Sequence, residues 1–287
     1  MKKRALMCVF SGTKNTWRVG DRLIDELLAY GYDTDIYSIS THGLPVHIDC
    51  FDMLIVGYPV HAFNAPKAFL EFLKKLPYGE GRKAYIIRTS GEPLKFNDAS
   101  GIVPRRILKK RGYNVLGEFS YVMPYNIIFR HSDEMAARMW QCAENRIKRD
   151  AALIGAGAKI KTKVNPLRRA VSFTLRIEHI AMPLLGRRFK VDKAKCVGCN
   201  VCSSKCPQSN IELVDCVPKF GKKCVGCMAC AFHCPMDAIR TSVLNGWRVN
   251  GKYSFDGTPA TDDEVCKFCN KAYLRYFHES EQLYEKD

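Results

Sequence analysis

Cys196-Val197-Gly198-Cys199-Asn200-Val201-Cys202-Ser203-Ser204-Lys205-Cys206-Pro207 returns 28 positions later as Cys224-Val225-Gly226-Cys227-Met228-Ala229-Cys230-Ala231-Phe232-His233-Cys234-Pro235. Every cysteine keeps the offset, and so do both prolines and both Val-Gly pairs. Ile211 and Ile239 each lie four residues past the proline of their copy. Three cysteines spaced three apart suit a loop that wraps three corners of one inorganic core. The fourth stands before a proline, which has no N–H and disfavours helix at the residue before it, so that cysteine leaves the loop.

The run resembles that of two-cluster bacterial ferredoxins, in which the fourth cysteine crosses to the other [4Fe–4S] cluster. This predicts one cluster on Cys196, Cys199, Cys202 and Cys234, and a second on Cys224, Cys227, Cys230 and Cys206. Small residues beside the cysteines let backbone N–H groups reach sulfur, and the two isoleucines are expected to cover the clusters. Zinc, which four cysteines can also hold, is the competing reading; its ligand pairs do not normally repeat in this pattern.

The chain has 287 residues, enough for about two domains, with 47% apolar residues to fill their cores. Of fourteen cysteines, eight are committed to the duplicated run. Clusters need reduced thiols, so a reducing cytoplasm is expected. Met1-Lys2-Lys3-Arg4 and the apolar residues after it imitate a signal peptide, but the apolar run is too short and no cleavage site follows. It reads better as a first strand. No stretch approaches the length of a membrane span.

The formal charge is +16, from 45 basic and 29 acidic residues. Eleven Lys or Arg but only Glu178 and Asp192 fall between Lys159 and Lys195. Such a run suits an acidic redox partner protein or an anionic membrane surface, or is a solvated linker. Nucleic acid is not expected, since no nucleic-acid motif accompanies the charge.

The N-terminal part alternates strand-like apolar runs with amphipathic segments. Strands are predicted at Ala5–Phe10, Asp33–Tyr37, Met53–Gly57, Lys83–Thr89 and Tyr113–Val122. Helices are predicted at Thr16–Tyr30, Pro66–Leu76, Val103–Arg111 and Asp133–Leu153. This is a doubly wound α/β fold, a five-stranded parallel sheet covered on both faces. Ligands in such folds bind at the C-terminal ends of strands. Three loops there stand out: Phe10-Ser11-Gly12-Thr13-Lys14-Asn15-Thr16, Tyr58-Pro59-Val60-His61-Ala62-Phe63-Asn64-Ala65-Pro66, and Thr89-Ser90-Gly91-Glu92-Pro93. The first suits a phosphate at a helix N-terminus.

These loops resemble flavodoxin, and the whole chain resembles the fused flavodoxin–ferredoxin proteins of anaerobic bacteria. The resemblance implies an FMN site. Ser11, Thr13, Asn15 and Thr16 would hold its phosphate, Tyr58, Phe63 and Asn64 would line the isoalloxazine, and Ser90 and Gly91 its pyrimidine edge. Lys14 stands where the family loop usually has a second glycine; it either obstructs that turn or pairs with the phosphate. An empty flavodoxin-shaped shell is the competing reading. The expected units are 1–156, flavodoxin-like and FMN-binding; 157–190, a basic connector; 191–245, a small α+β two-cluster ferredoxin domain; and 246–287, a C-terminal extension.

The implied function is electron transfer between FMN and two [4Fe–4S] clusters, and to or from partner redox proteins. An FMN-dependent reductase of a small acceptor is the alternative, with His61 and Tyr58 as candidate proton donors; a ferredoxin whose first domain only docks partners is a third. Elsewhere, Cys266 and Cys269 form a Cys-x2-Cys pair with His278 nearby, short of a metal ligand set, and read as free thiols on a terminal helix. Cys8, Cys50 and Cys142 read as core residues, and Cys216 is assigned no role. His61 and His233 would tune a redox centre or simply occupy loops. The connector reads as a segment packing one domain on the other with a basic outer face; a membrane-surface helix is the sharper alternative, with Pro166 and Pro183 confining any helix to one short stretch.

Overall fold

A computed structural model describes residues 2–41, 43–45 and 48–283. Met1 and 284–287, the outer ends of the expected units, lie outside the described residues. The first half builds β1 (Lys3–Val9), α1 (Asn15–Leu28), β2 (Tyr32–Ser38), β3 (Met53–Pro59), α2 (Lys67–Lys75), β4 (Lys83–Ser90), α3 (Ile102–Lys110), β5 (Asn114–Val122) and α4 (Asp133–Gly155). The strands pair in parallel in the order β2-β1-β3-β4-β5. This is the flavodoxin-like order, and its switch point, where β1 meets β3, is where such sheets bind ligands.

Strand alternation sends side chains to two cores. Leu6, Cys8, Val56 and Ile86 join Phe69, Phe72 and Leu73 of α2 and Leu108 of α3. Met7, Val9, Ile55 and Ile87 join Val19, Leu23 and Leu27 of α1 and Ala143, Ile147 and Ile154 of α4. Apolar residues on both faces explain why β3 and β4 read as continuous apolar runs. Of the three cysteines expected in the core, Cys8 and Cys142 are buried there and Cys50 is exposed.

The connector folds as two helices, α5 (Pro166–Leu175) and α6 (Glu178–Arg187). Pro166 starts α5, where its missing N–H costs nothing, and Asn165 caps it by accepting from Arg168 N at 2.9 Å. Pro183 sits inside α6, so the expectation that it ends the helix is corrected: packing of α6 on both halves of the chain outweighs the lost hydrogen bond.

The cysteine-rich segment contains β6 (Lys190–Val191), α7 (Val201–Ser204), β7 (Ile211–Val214), β8 (Val217–Phe220), α8 (Ala229–Phe232) and β9 (Ile239–Arg240). β6 pairs antiparallel with β9, and β7 with β8. The duplication reaches the backbone. Positive φ recurs at Gly198 and Gly226 (68° and 70°), Asn200 and Met228 (63° and 56°), and Ser209 and Asp237 (45° and 46°). A 3₁₀ turn at Ser242–Trp247 leads into the C-terminal extension, whose α9 (Asn270–Glu281) returns to the first half. There Tyr273, Tyr276 and Phe277 pack with Met135, Met139 and Cys142 of α4.

Candidate functional site

The repeated loops bring the cysteines together in the crossed arrangement. Cys196, Cys199, Cys202 and Cys234 line one small cavity, closed by Leu213, Pro235 and Ile239. Cys206 lies close enough to Cys224, Cys227 and Cys230 that its charge adds to burial in raising their thiols, Cys227 to about 12. Asn210 N donates to Cys206 Sγ and Ala238 N to Cys234 Sγ, both at 3.3 Å, again 28 residues apart. Ile211 and Ile239 are buried with Cys202 between the two groups. Among the described residues no three His, Cys, Asp or Glu converge as around a single ion. Cys216 borders the first cavity beside Gly198, where an added Cβ would stand 3.0 Å from Cys216 Cβ.

The second group is covered and the first is open. The hydrogen of Gly186 in α6 faces Cys224, where a Cβ would stand 2.1 Å from Cys224 Cβ. Cys227 is buried against the loop after β1, and Cys199 is exposed.

At the C-terminal ends of β1, β3, β4 and β5 lies a cavity of ≈ 510 Å³. Ser11, Thr13, Asn15 and Thr16 form one end, Phe63 one side, and Ser90 and Gly91 another. Asn15 Nδ2 donates to Pro124 O at 2.7 Å, and Thr16 Oγ1 bonds Thr89 Oγ1 at 2.7 Å, which ties the loop to its neighbours. Ala62 and Phe63 both have positive φ (41° and 58°) between His61 and Asn64, whose backbones exchange hydrogen bonds of 2.9 and 2.7 Å. That is a type I′ turn built without glycine, a strained clamp that presents the Phe63 ring.

Three residues expected to touch FMN stand elsewhere. Tyr58 is the last inward side chain of β3; its ring packs 4.6 Å from that of Phe69 and its hydroxyl bonds Ser100 Oγ at 2.9 Å. Asn64 is buried, donating to Ser172 O at 2.8 Å and accepting from Arg176 Nε at 3.1 Å, so it anchors α5. Lys14 does not line the cavity: it takes the left-handed conformation (φ 72°) that a glycine would take, and its ammonium lies 4.3 Å over the Trp17 ring. Its side chain still belongs to a basic group around the loop, with Lys205 and Lys252, that with burial lowers the pKa of His233. His233 Nε2 meets Gly12 O at 3.2 Å. Positive charge and the α1 N-terminus thus surround the end where a phosphate is expected.

Other walls were not foreseen. Pro124 to Ile128 follow β5 and close the far side, with Tyr125 stacked on His131 at 5.2 Å. An aromatic-containing loop after the last strand was the available signal. Leu175, Glu178, Ala181, Met182 and Leu185 roof the cavity from the connector. Burial pushes the Glu178 carboxyl up to about 7, and burial with nearby His179 pushes His61 down to about 4. His61 Nε2 is buried at the cavity without a hydrogen-bond partner. Gly226 and Met228, from the second cysteine loop, complete the lining. Gly12 abuts that loop so closely that a Cβ would lie 2.5 Å from Cys227 O, and Asn126 Nδ2 donates to the same carbonyl at 3.3 Å. Cys266 and Cys269 lie in the turn before α9 rather than on it, with Cys269 at its N-cap.

Residues 189–212 and 221–240 match the 4Fe-4S binding domain family. Among curated proteins nothing matches. Solved structures similar to the first half include the Streptococcus pneumonia TIGR4 flavodoxin, 20% identical over 53% of this chain and 98% of that one, with a TM-score of 0.39. Oxidised Flavodoxin 1 from Bacillus cereus is 17% identical over 54% and 96%, TM-score 0.39. A flavoprotein from Lactobacillus acidophilus NCFM, solved in complex with FMN, is 14% identical over 42% and 93%, TM-score 0.34. The flavodoxin-like fold assigned here rests on the strand order.

Proposed function

We propose that this chain is an iron–sulfur flavoprotein electron carrier, holding FMN in the ≈ 510 Å³ cavity and two [4Fe–4S] clusters on the eight repeated cysteines. One observation carries the reading: Gly226 and Met228, flanking Cys227, line the same cavity as the Ser11–Thr16 loop. A centre on Cys206, Cys224, Cys227 and Cys230 would therefore neighbour a flavin directly, and one on the exposed first site would face partners.

Bound FMN exchanges one or two electrons and each cluster one, so together they interconvert electron pairs and single electrons. The chain supplies position. The α1 N-terminus, with Lys14 and Lys205 nearby, favours an anion at Ser11–Thr16. His61, held neutral near pH 7 by burial, borders the cavity beside Phe63. Phe63 offers a flat apolar wall, and α6 excludes water from above. The carrier reading is favoured over a reductase because α6 covers the face an acceptor would need; Tyr58, buried in β3, offers no proton there, which leaves Glu178 and His61. Partners are proposed to be acidic redox proteins in a reducing cytoplasm. Among the described residues no helix is long and apolar enough to cross a membrane.

The test is anaerobic purification, counts of iron, sulfide and flavin per chain, and rapid mixing. About eight iron and eight sulfide with one FMN are expected. After selective reduction of the clusters, the flavin should follow at a rate independent of protein concentration. A rate rising linearly with concentration, or a chain that takes up no flavin, would overturn the reading.

A further inference from the structure

The outer side of the connector is unusual. Phe173, Ile177, Ile180 and Leu184 are 65–71% exposed. Ile177, Ile180 and Leu184 recur at i, i+3 and i+7, one face of α6 and the turn that starts it. Ile177 also borders the cavity, so the stripe starts at its rim, while Ile180 and Leu184 lie outside the Glu178, Ala181, Met182 and Leu185 face that roofs it. Val243 and Trp247, in the adjoining 3₁₀ turn, add two more large exposed apolar side chains. By helical spacing Arg169 falls beside Phe173 on α5 and Arg187 in line with Ile180 and Leu184 on α6, and Arg188 and Lys190 follow its end. Arg169, Arg187 and Arg188 form no ion pair among the described residues.

We propose that this stripe docks the protein on an anionic membrane surface, with α5 and α6 lying in the headgroup plane. An exposed apolar stripe, an exposed Trp and unpaired arginines beside it suit such a surface. Charge decides among occupants. A second copy would set two faces of a chain with formal charge +16 against each other. A soluble electron carrier needs a short path to a redox centre, and the exposed rim at Cys199 and Val197 gives one. An anionic lipid surface answers both features, taking the apolar side chains between headgroups and the arginines at phosphates. The stripe's helices are too short to span, so attachment is peripheral and reversible. This inference does not rest on the electron-carrier reading: Ile177 and Trp247 border the cavity, but Phe173, Ile180, Leu184 and the arginines do not, and none of them is asked to hold a cofactor.

The test uses the full chain, purified anaerobically with its clusters, and sedimentation with vesicles. One set is phosphatidylcholine alone; in the other, one lipid in three is phosphatidylglycerol. Binding to the mixed vesicles is expected, with little to phosphatidylcholine, and should fall as salt rises. Ile180→Asp should weaken binding by about tenfold or more, and Arg187→Glu by roughly fivefold or more. Both sites are exposed, so unchanged visible absorbance and circular dichroism serve as fold controls. Trp247 emission should shift to shorter wavelength on mixed vesicles, a change absent in Trp247→Phe. Failure to bind anionic vesicles at low salt would overturn the proposal, and so would equal binding by the Ile180→Asp chain. A chain that ignores vesicles but sediments as a dimer would reassign the stripe to a second copy.

Discussion

Replacing Gly12 with Ala would test the junction between the two halves. An added Cβ would stand 2.5 Å from Cys227 O, 2.9 Å from Cys227 Cβ and 3.2 Å from Cys227 C. Carbon prefers neighbours at about 3.5–4.0 Å, so the loops must part by about 1 Å. The obstacle is mostly backbone, which cannot swing aside as a side-chain tip would. Overpacking of this kind costs about 1–3 kcal/mol. If it falls on docking, the closed arrangement loses roughly five- to 150-fold. Hydrogen exchange followed by mass spectrometry, on the flavin-free but cluster-loaded chain, reads this without interference from lost phosphate contacts. Peptides spanning 10–18 and 224–234 should exchange faster in Gly12→Ala. Gly246→Ala is the control, since nothing lies within 4 Å of the added atom. With FMN restored, cluster-to-flavin transfer should slow in Gly12→Ala alone. Unchanged exchange and an unchanged transfer rate would refute the contact, and with it the inference that the second cysteine loop and the Ser11–Thr16 loop act as one unit.

Other perturbations address other parts of the site. Cys206→Ser and Cys224→Ser should give the same altered electron paramagnetic resonance spectrum, different from that of Cys196→Ser, because Cys206 stands with the second group. Lys14→Gly relieves a left-handed lysine at the cost of its contact with Trp17; a gain of a few tenths to about 1 kcal/mol in urea denaturation is expected, whereas Lys14→Val should lose about 1 kcal/mol or more. Glu178 holds its proton longer in the folded chain than in the unfolded one, with its carboxyl raised from 4.5 to about 7 by burial. Its contribution is fully present below about pH 4.5 and is lost as pH rises through 7, a change on the order of 2–3 kcal/mol. Glu178→Gln should flatten that slope in denaturation curves taken from pH 5 to pH 8, and an unchanged slope would assign the pH dependence to other groups.

Local chemistry was legible in the chain, and long-range partners were not. Cysteine spacing is set by short loops, so three members of each group could be read from it, the crossed fourth followed from the resemblance to two-cluster ferredoxins, and the strands and the hydroxyl-rich loop after β1 were legible too. Tyr58 was misread because a strand buried on both faces has no alternation to say which way its last residue points. Asn64 sits in a loop whose composition suits a ligand, yet its partners, Ser172 and Arg176, lie more than 100 positions away. The α6 roof was hidden for the same reason, and Pro183 argued against a helix there. Lys14 shows the reverse: a missing glycine signalled obstruction, and the turn survived because the chain tolerates one left-handed lysine.

The backbone repeat also has a consequence for direction. Sites with matched φ values and matched N–H···S bonds would give two bound clusters nearly the same immediate ligand field, so any difference in reduction potential would arise from the surroundings. These differ sharply: Cys227 is buried beneath α6 and the Gly12 loop, while Cys199 meets water. A cluster with four thiolates is an anion that becomes more negative on reduction, and burial opposes added charge. On burial alone, a cluster at the inner site would be the stronger reductant and one at the outer site the better resting place for an electron. Duplication followed by unequal burial would thus turn two copies of one loop into a downhill step from the interior of the molecule to its surface.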